Sequence, residues 1–349
     1  FLQTDGAGAK AIVVCSDIAL YEPGSSGEPT QGSGAVAILL EANPGIATID
    51  LNQSGTASNY RGVDFRKPIQ YMNGDGVAHA CSNIPVFNGR YSASCYVDEL
   101  LFALENMYER RGIEAHAYHD QLEAVFMHRP FKRMPENGWG MAYLFSLLAE
   151  REQSKLRGYA QAADVDFDAL LNEMQNRPEL SDFGVQKRIR DDVFPLTYKV
   201  LRVFRGHSNY GKAIGEKMHL GSATMEELGN LYTGAMPAWL AAGLEDAARK
   251  SVDLTGKEIL LFGYGSGDAA EAMPIVMVPG WEQAAGKIDM VDALSAPVNL
   301  DKEQYISLRK GKVTKLNYQP SEEFVIERVG ASSETGFQDK GIEYYRFVD

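Results

Sequence analysis

A short apolar run, Leu122 to Met127, stops abruptly at His128-Arg129-Pro130, and two cations, Lys132 and Arg133, follow at once. A run of this length bounded by turn residues reads as a buried strand. The fold must therefore carry a strand through its interior and deliver an imidazole to the strand's end. Neutral imidazole exchanges a proton near neutral pH, and neighbouring Lys and Arg side chains can hold phosphate. The pattern suits acyl chemistry on a phosphorylated carrier, although a strand-end histidine is as often a satisfied packing residue.

Other segments repeat the strand signature. Ala11 to Cys15, Ala35 to Leu40, Ile46 to Leu51 and Glu258 to Phe262 are short apolar runs; Ala272 to Val278 and Gly341 to Val348 read as further strands. Ser94 to Arg111 carries a helical stripe that ends at Gly112, a residue type that closes helices. Trp139 to Leu201 reads as helical, with Asp164-Val-Asp166 opening one helix and Arg188, Arg190, Asp191 and Asp192 forming a solvated face. Thr224-Met-Glu-Glu227 resembles a capping box before an apolar helix from Leu231 to Ala248, and Asp301 to Arg309 reads as a short helix. Glu22 to Gly34 is loop-like, and Asn52 to Arg90 is irregular and glycine-rich; a long loop inside a domain usually borders a site. Helices interleaved with short buried strands imply α/β layers.

With 349 residues the chain can build one large domain or two smaller ones. A net charge of -13 argues against a nucleic-acid surface, while leaving room for a local cationic cluster that binds an anion. No apolar run approaches the roughly 20 residues that span a bilayer, and no signal-peptide pattern opens the chain. Cys15, Cys81 and Cys95 leave an odd thiol and show no metal spacing, which points to the reducing cytosol. His79, His116, His119, His207 and His219 read as surface or packing residues. Phe1 to Lys10 reads as the end of a helix and a glycine-rich turn, so the chain is expected to begin inside a fold.

Four more places could carry chemistry. The turn Gly263-Tyr264-Gly265-Ser266-Gly267-Asp268 follows a strand, and its glycines let backbone N–H groups approach an oxyanion or phosphate. It matches neither the dinucleotide fingerprint nor a P-loop, and a plain tight turn is the commoner outcome. Asn230 could cap the next helix or donate its amide to a substrate carbonyl. Asp17 and Asp64 could be caps or turn residues, the usual fate of aspartate.

Taken together, the motifs resemble hydroxymethylglutaryl-CoA synthases. Ser16-Asp17-Ile-Ala-Leu-Tyr21, Gly32-Ser-Gly-Ala-Val-Ala37, Asp64-Phe-Arg-Lys-Pro68 and Phe126-Met-His128-Arg-Pro130 occur in that family's order. Asn230-Leu-Tyr-Thr233 and Phe262-Gly-Tyr-Gly-Ser-Gly267 continue it, so the resemblance covers essentially the entire chain.

The resemblance implies an α/β thiolase fold with a five-layered α-β-α-β-α core, from which the N-terminal part of the first half is missing. Residues 1–115 would be the remainder of that half. Residues 116–349 would be the second half, with a helical insertion at about 139–220. It implies condensation of acetyl-CoA with acetoacetyl-CoA through a cysteine thioester, as in mevalonate and isoprenoid synthesis, by a cytoplasmic homodimer. His128, Asn230, Ser266, Asp17 and Asp64 match catalytic positions; Tyr264, Gly265, Lys132 and Arg133 match substrate-binding ones, with Arg133 at the strict spacing of the CoA-holding cation. The family uses no metal and no cofactor beyond its coenzyme A thioester substrates. Its nucleophilic cysteine and general-acid glutamate would lie upstream of Phe1, on a preceding segment or a second polypeptide, and no cysteine here replaces the nucleophile. Two alternatives remain: a β-branching synthase acting on acyl carrier protein, and a non-catalytic thiolase-fold subunit.

Overall fold

The computed structural model describes residues 6 and 8–349, except 63, 68–69, 73–77, 81–83, 178, 181–192 and 313; for 70–72 and 78–80 only the backbone is described. Cys81, the charged stretch Arg188 to Asp192 and the expected helix end at Phe1 to Thr4 lie outside the described residues or side chains. The chain divides into two compact units, Phe1–Val291 and Asp292–Asp349.

The first unit is organised by a mixed sheet. Strand β5 (Ala124–Met127) runs parallel to β6 (Glu258–Gly265), which forms an antiparallel hairpin with β7 (Ala269–Met277). Along its far edge β7 pairs with β3 (Ala47–Ile49) and β4 (Gly55–Ser58). Strands from both sides of position 115 thus share one sheet. β5 is buried at every residue, as its apolar run requires.

Helices cover both faces. On one, α1 (Gly89–Arg111) brings Tyr96 edge-on to Phe262 of β6 at 5.6 Å. A Cβ at Gly55 would meet Ala103 O of α1 at 2.0 Å, so only glycine lets β4 lie so close. On the opposite face, the later helix Ala235–Arg249 packs Trp239 against Phe126 at 5.9 Å, and a Cβ at Gly243 would meet the Phe126 ring at 2.3 Å. The mixed sheet between helical layers bears out the α/β reading.

The helical region contains α2 (Ala115–Gln121), α3 (Arg133–Ser146), α4 (Gln153–Ala162), α5 (Phe167–Gln175) and α6 (Pro195–Phe204). It has an aromatic core: Tyr143 and Phe204 stack at 5.1 Å. Asp166 caps α5 through the Ala169 amide, as the sequence suggested. His119 of α2 is buried against Trp139 at 4.2 Å, and burial lowers its pKa to about 3. Its folded pKa lies below that of an ordinary histidine, so the folded state binds fewer protons than the unfolded one. Stability is therefore lost as the pH falls below about 6.5 toward 3. His119→Phe should flatten that loss. A stability-against-pH curve unchanged by the substitution would show that this ring contributes nothing to acid sensitivity.

Strands β1 (Ala11–Ala19) and β2 (Gly32–Leu40) form a separate antiparallel pair, longer than the apolar runs that announced them. One face carries Ile12, Val14, Ile18 and Leu39, which are 69%, 63%, 60% and 50% exposed. A two-stranded ribbon is marginal in water, and open apolar faces drive association. We expect the 349-residue chain to self-associate, and Ile12→Lys with Val14→Lys to raise the monomer fraction in analytical ultracentrifugation. A parent chain that sediments as a monomer at micromolar concentration would contradict this.

Two local readings need correction. The Thr224-Met-Glu-Glu227 segment lies inside α7 (Ser222–Leu228), whose N-cap is Gly221 without a side-chain cap, so it is no capping box. The apolar helix begins at Ala235 rather than Leu231, as α8 (Ala235–Arg249), because Tyr232–Gly234 forms a separate 3-10 turn. In the second unit, α9 (Lys302–Arg309) carries a true capping box between Asp301 and Gln304. Strand β8 (Glu323–Val329) pairs antiparallel with β9 (Glu343–Val348). Among the described residues no helix is long and apolar enough to cross a membrane.

Candidate active site

His128 sits where β5 ends. Its amide donates to Phe262 O at 2.8 Å, extending the pairing with β6, and its carbonyl accepts from Tyr96 Oη at 2.9 Å. The ring lies beside Tyr264 and Tyr96, with centroids 6.0 and 6.5 Å away. Burial pushes its pKa down to about 4, against a hydrogen bond to the Tyr232 backbone. His128 is therefore neutral near pH 7. A neutral imidazole has one N–H and one lone pair; with the N–H directed at a carbonyl, the second nitrogen is left as an acceptor or base.

Asn230 is buried and joined to the same point. Its Nδ2 donates to Tyr21 Oη at 3.0 Å, while its Oδ1 accepts from the Tyr232 amide at 2.9 Å. The side chain thus pins Tyr232, a non-glycine residue at φ +46, whose backbone meets His128. Asn230 acts as a turn-former rather than the cap of α8. Asp17 lies within β1 rather than at its end, and it adds least to the rise in the Tyr232 pKa, which burial and then Tyr21 dominate.

The expected turn from Gly263 begins three residues later: Gly263 to Gly265 complete β6, and only 266–268 form the turn, with Gly265 and Ser266 exposed. Tyr264 Oη is 2.9 Å from Asp64 Oδ2 and 3.1 Å from Asp268 Oδ1. Asp64 is fully buried, and its carbonyl accepts from Ser92 Oγ of α1. The structure therefore brings His128, Asn230, Tyr264 and Asp64 to one neighbourhood, linked through Tyr96 and Tyr232, whereas the Asp17 carboxylate accepts from the adjacent Ile18 amide. The cations stand apart from it. Lys132 is exposed and paired with Glu226 at 2.7 Å; Arg133 is exposed on the first turn of α3.

Sequence reasoning missed a buried charge network behind Tyr264. The Arg61 guanidinium meets Asp98 at 2.5 Å, Glu99 at 2.7 Å and Asp268 at 3.4 Å. Burial raises Asp98 to about 6 despite the guanidinium. The signal was available: Asp98 and Glu99 interrupt an otherwise apolar stretch of α1, in which 94–101 are all buried. A cavity of about 270 Å³ at the start of α1 is lined by residues including Arg90, Asn137, Arg202 and Arg205. Among the described residues no His, Cys, Asp or Glu group could hold a metal ion.

Neither described cysteine is suited to attack. Cys95 is buried, and burial with Asp64 and Asp268 nearby pushes its thiol pKa up, which suppresses the thiolate. Cys15 lies within β1.

The fold defines the class. The chain aligns with the structure of MvaS in complex with 3-hydroxy-3-methylglutaryl coenzyme A at a TM-score of 0.69 and 22% identity, over 99% of this chain and 69% of that one. The curacin pathway HMG synthase, solved in complex with holo donor-ACP, aligns at 0.55 and 19% identity, over 88% and 57%. Both likenesses establish the thiolase fold. Residues 211–329 match the family model for the C-terminal part of hydroxymethylglutaryl-coenzyme A synthase. The hydroxymethylglutaryl-CoA synthase of Haloferax volcanii is 28% identical over 302 residues, covering 85% of this chain and 59% of that protein. The chain is thus similar to hydroxymethylglutaryl-CoA synthases, at 26–28% identity to these relatives. It spans about three-fifths of the length of the curated relatives it matches.

Proposed function

We propose that the chain is the larger, C-terminal part of an acyltransferase that condenses an acetyl thioester with acetoacetyl-CoA to give 3-hydroxy-3-methylglutaryl-CoA. The observation that carries this reading is the convergence of His128, Asn230 and Tyr264 through Tyr232 and Tyr96, from segments far apart in sequence. A cysteine supplied from outside these residues takes the acetyl group, and CoA leaves as thiol. Loss of a methyl proton then gives an enolate-like carbon, which attacks the acetoacetyl ketone and leaves its oxygen to take up a proton. Water cleaves the enzyme thioester. His128, neutral, holds the acetoacetyl group by donating its N–H to the ketone oxygen in place of the Tyr232 backbone. Donors to the carbonyl oxygens come from the remaining Asn230 N–H and the turn amide at Ser266, in the manner of an oxyanion hole. Gly267 is not one of them, since its N–H is taken by Asp268 Oδ1. Arg133 binds carrier phosphate, and Lys132 does so after release from Glu226. The chemistry needs no metal or redox cofactor, and a cytoplasmic homodimer in isoprenoid synthesis fits it.

Donor and acceptor labelling tests the reading. The chain joined to a cysteine-bearing N-terminal segment should convert labelled acetyl-CoA and acetoacetyl-CoA to labelled product, while the chain alone should transfer no acetyl group. Absence of product from the joined protein would favour a non-catalytic subunit. A second reading, condensation on acyl carrier protein, draws support from the likeness to the curacin synthase. The same assay with carrier-bound acceptor separates the two. Lys132→Ala with Arg133→Ala should raise KM for the phosphorylated carrier more than it lowers kcat, the mark of lost uniform binding; an unchanged KM would make these cations surface charge.

A further inference from the structure

Asp268 lies directly behind the site and has no role in the reading above. Tyr264 Oη stands within hydrogen-bonding distance of both Asp64 Oδ2, at 2.9 Å, and Asp268 Oδ1, at 3.1 Å. A phenol has one proton to give. It can satisfy one carboxylate, so the second contact is favourable only if a carboxyl proton is present to complete it. Two carboxyls thus converge on one hydroxyl, and two ionised carboxylates so placed repel.

We propose that Asp268 is a positioning residue of the acyl site: with Asp64 it holds one shared proton at the Tyr264 hydroxyl and so fixes the phenol ring against His128. The inference deepens the acyl-thioester reading and rests on it for its functional meaning. Asp268 is anchored on its other side by Arg61, which is itself held by Asp98 and Glu99 from α1. It also takes the Gly267 amide, which ties the glycine turn to the same carboxyl. Cys95 and Tyr91, both on α1, also lie near it, and burial holds both in their neutral, protonated form. Arg61 and, toward Asp98, Arg177 face four carboxyl groups, which leaves an excess of negative charge. A shared proton reduces that excess where Tyr264 needs it. In agreement, burial and the Asp64 carboxyl raise Asp268 to about 7.

The test uses the 349-residue chain with ¹³C-labelled aspartate carboxyls and ¹⁵N-labelled histidine. One carboxyl resonance should titrate near neutrality in the parent chain and vanish from that range in Asp268→Asn, whose amide can replace the proton. His128 should keep its chemical shift in Asp268→Asn and lose it in Asp268→Ala. Affinity for acetoacetyl-CoA should be kept in the first and fall about tenfold in the second, the scale of one lost positioning hydrogen bond. Asp268→Asn conserves volume, so it remains decisive if Asp268→Ala does not fold. The proposal is overturned if both carboxyls titrate in the ordinary acid range, or if Asp268→Asn moves His128 as far as Asp268→Ala does. A parent chain that binds no acetoacetyl-CoA would instead count against the acyl-site reading, while the carboxyl and imidazole resonances still decide the role of Asp268.

Discussion

His128→Ala, in the chain joined to its nucleophile-bearing segment, is expected to lower condensation by roughly 10²- to 10⁴-fold, the range for loss of a positioned acid–base group. The ring's place is set by three independent constraints: the β5–β6 ladder, the Tyr96 hydroxyl on its carbonyl, and the Tyr232 backbone. The first two act on the backbone of residue 128 and survive the substitution, so folding should be kept while the chemistry is lost. The pH dependence is a sharper expectation. With its pKa lowered to about 4, the imidazole is already neutral above pH 5 and should contribute no inflection between pH 6 and 7. An inflection in that range that disappears in His128→Ala would contradict the buried, neutral ring. One that disappears in Asp268→Asn belongs to the carboxyl pair.

Arg61→Ala should destabilise the protein by about 3–5 kcal/mol, the cost of leaving buried charges without their partner. Asp98, Glu99 and Asp268 all face this guanidinium, and none of the three is exposed. The effect should grow with pH. Asp98 and Asp268 have folded pKa values raised to about 6 and about 7, so between pH 4 and 7 the folded state binds more protons than the unfolded one. Their contribution therefore falls as the pH rises through that window, and without Arg61 the fall should be steeper and extend higher. Denaturant unfolding at several pH values checks both statements. A loss below about 1 kcal/mol at pH 8 would place the network among pairs that add little, with its carboxyls neutralised by protonation.

Much of this architecture could be read from the chain, and what escaped has physical causes. β5 and β6 were legible because a strand buried on both faces must be apolar throughout. Strand β8 escaped because Glu323, Glu327 and Arg328 break its pattern; most of its residues are exposed, so burial imposed little on their choice. β1 was read four residues short, since Ser16 and Asp17 look like a strand end when no neighbouring layer is considered. In the site, His128, Asn230, Asp64 and the glycine turn each carried a local motif. Tyr232 did not. Its role comes from a left-handed backbone that no residue type at that position announces. The Arg61 network joins 61, 98, 99 and 268, a pairing that spacing alone cannot reveal.

The central claim is that His128 lies at an acyl-thioester site completed by Asn230 and Tyr264. The most direct measurement follows the ¹⁵N resonances of His128 in the 349-residue chain as acetoacetyl-CoA is added, with CoA alone as the control. The account predicts that acetoacetyl-CoA shifts the ring nitrogens of His128 saturably, that CoA alone leaves them nearly unmoved, and that Asn230→Ala weakens the response. Equal shifts with both ligands, or a His128 signal indifferent to acetoacetyl-CoA at saturating binding, would contradict it.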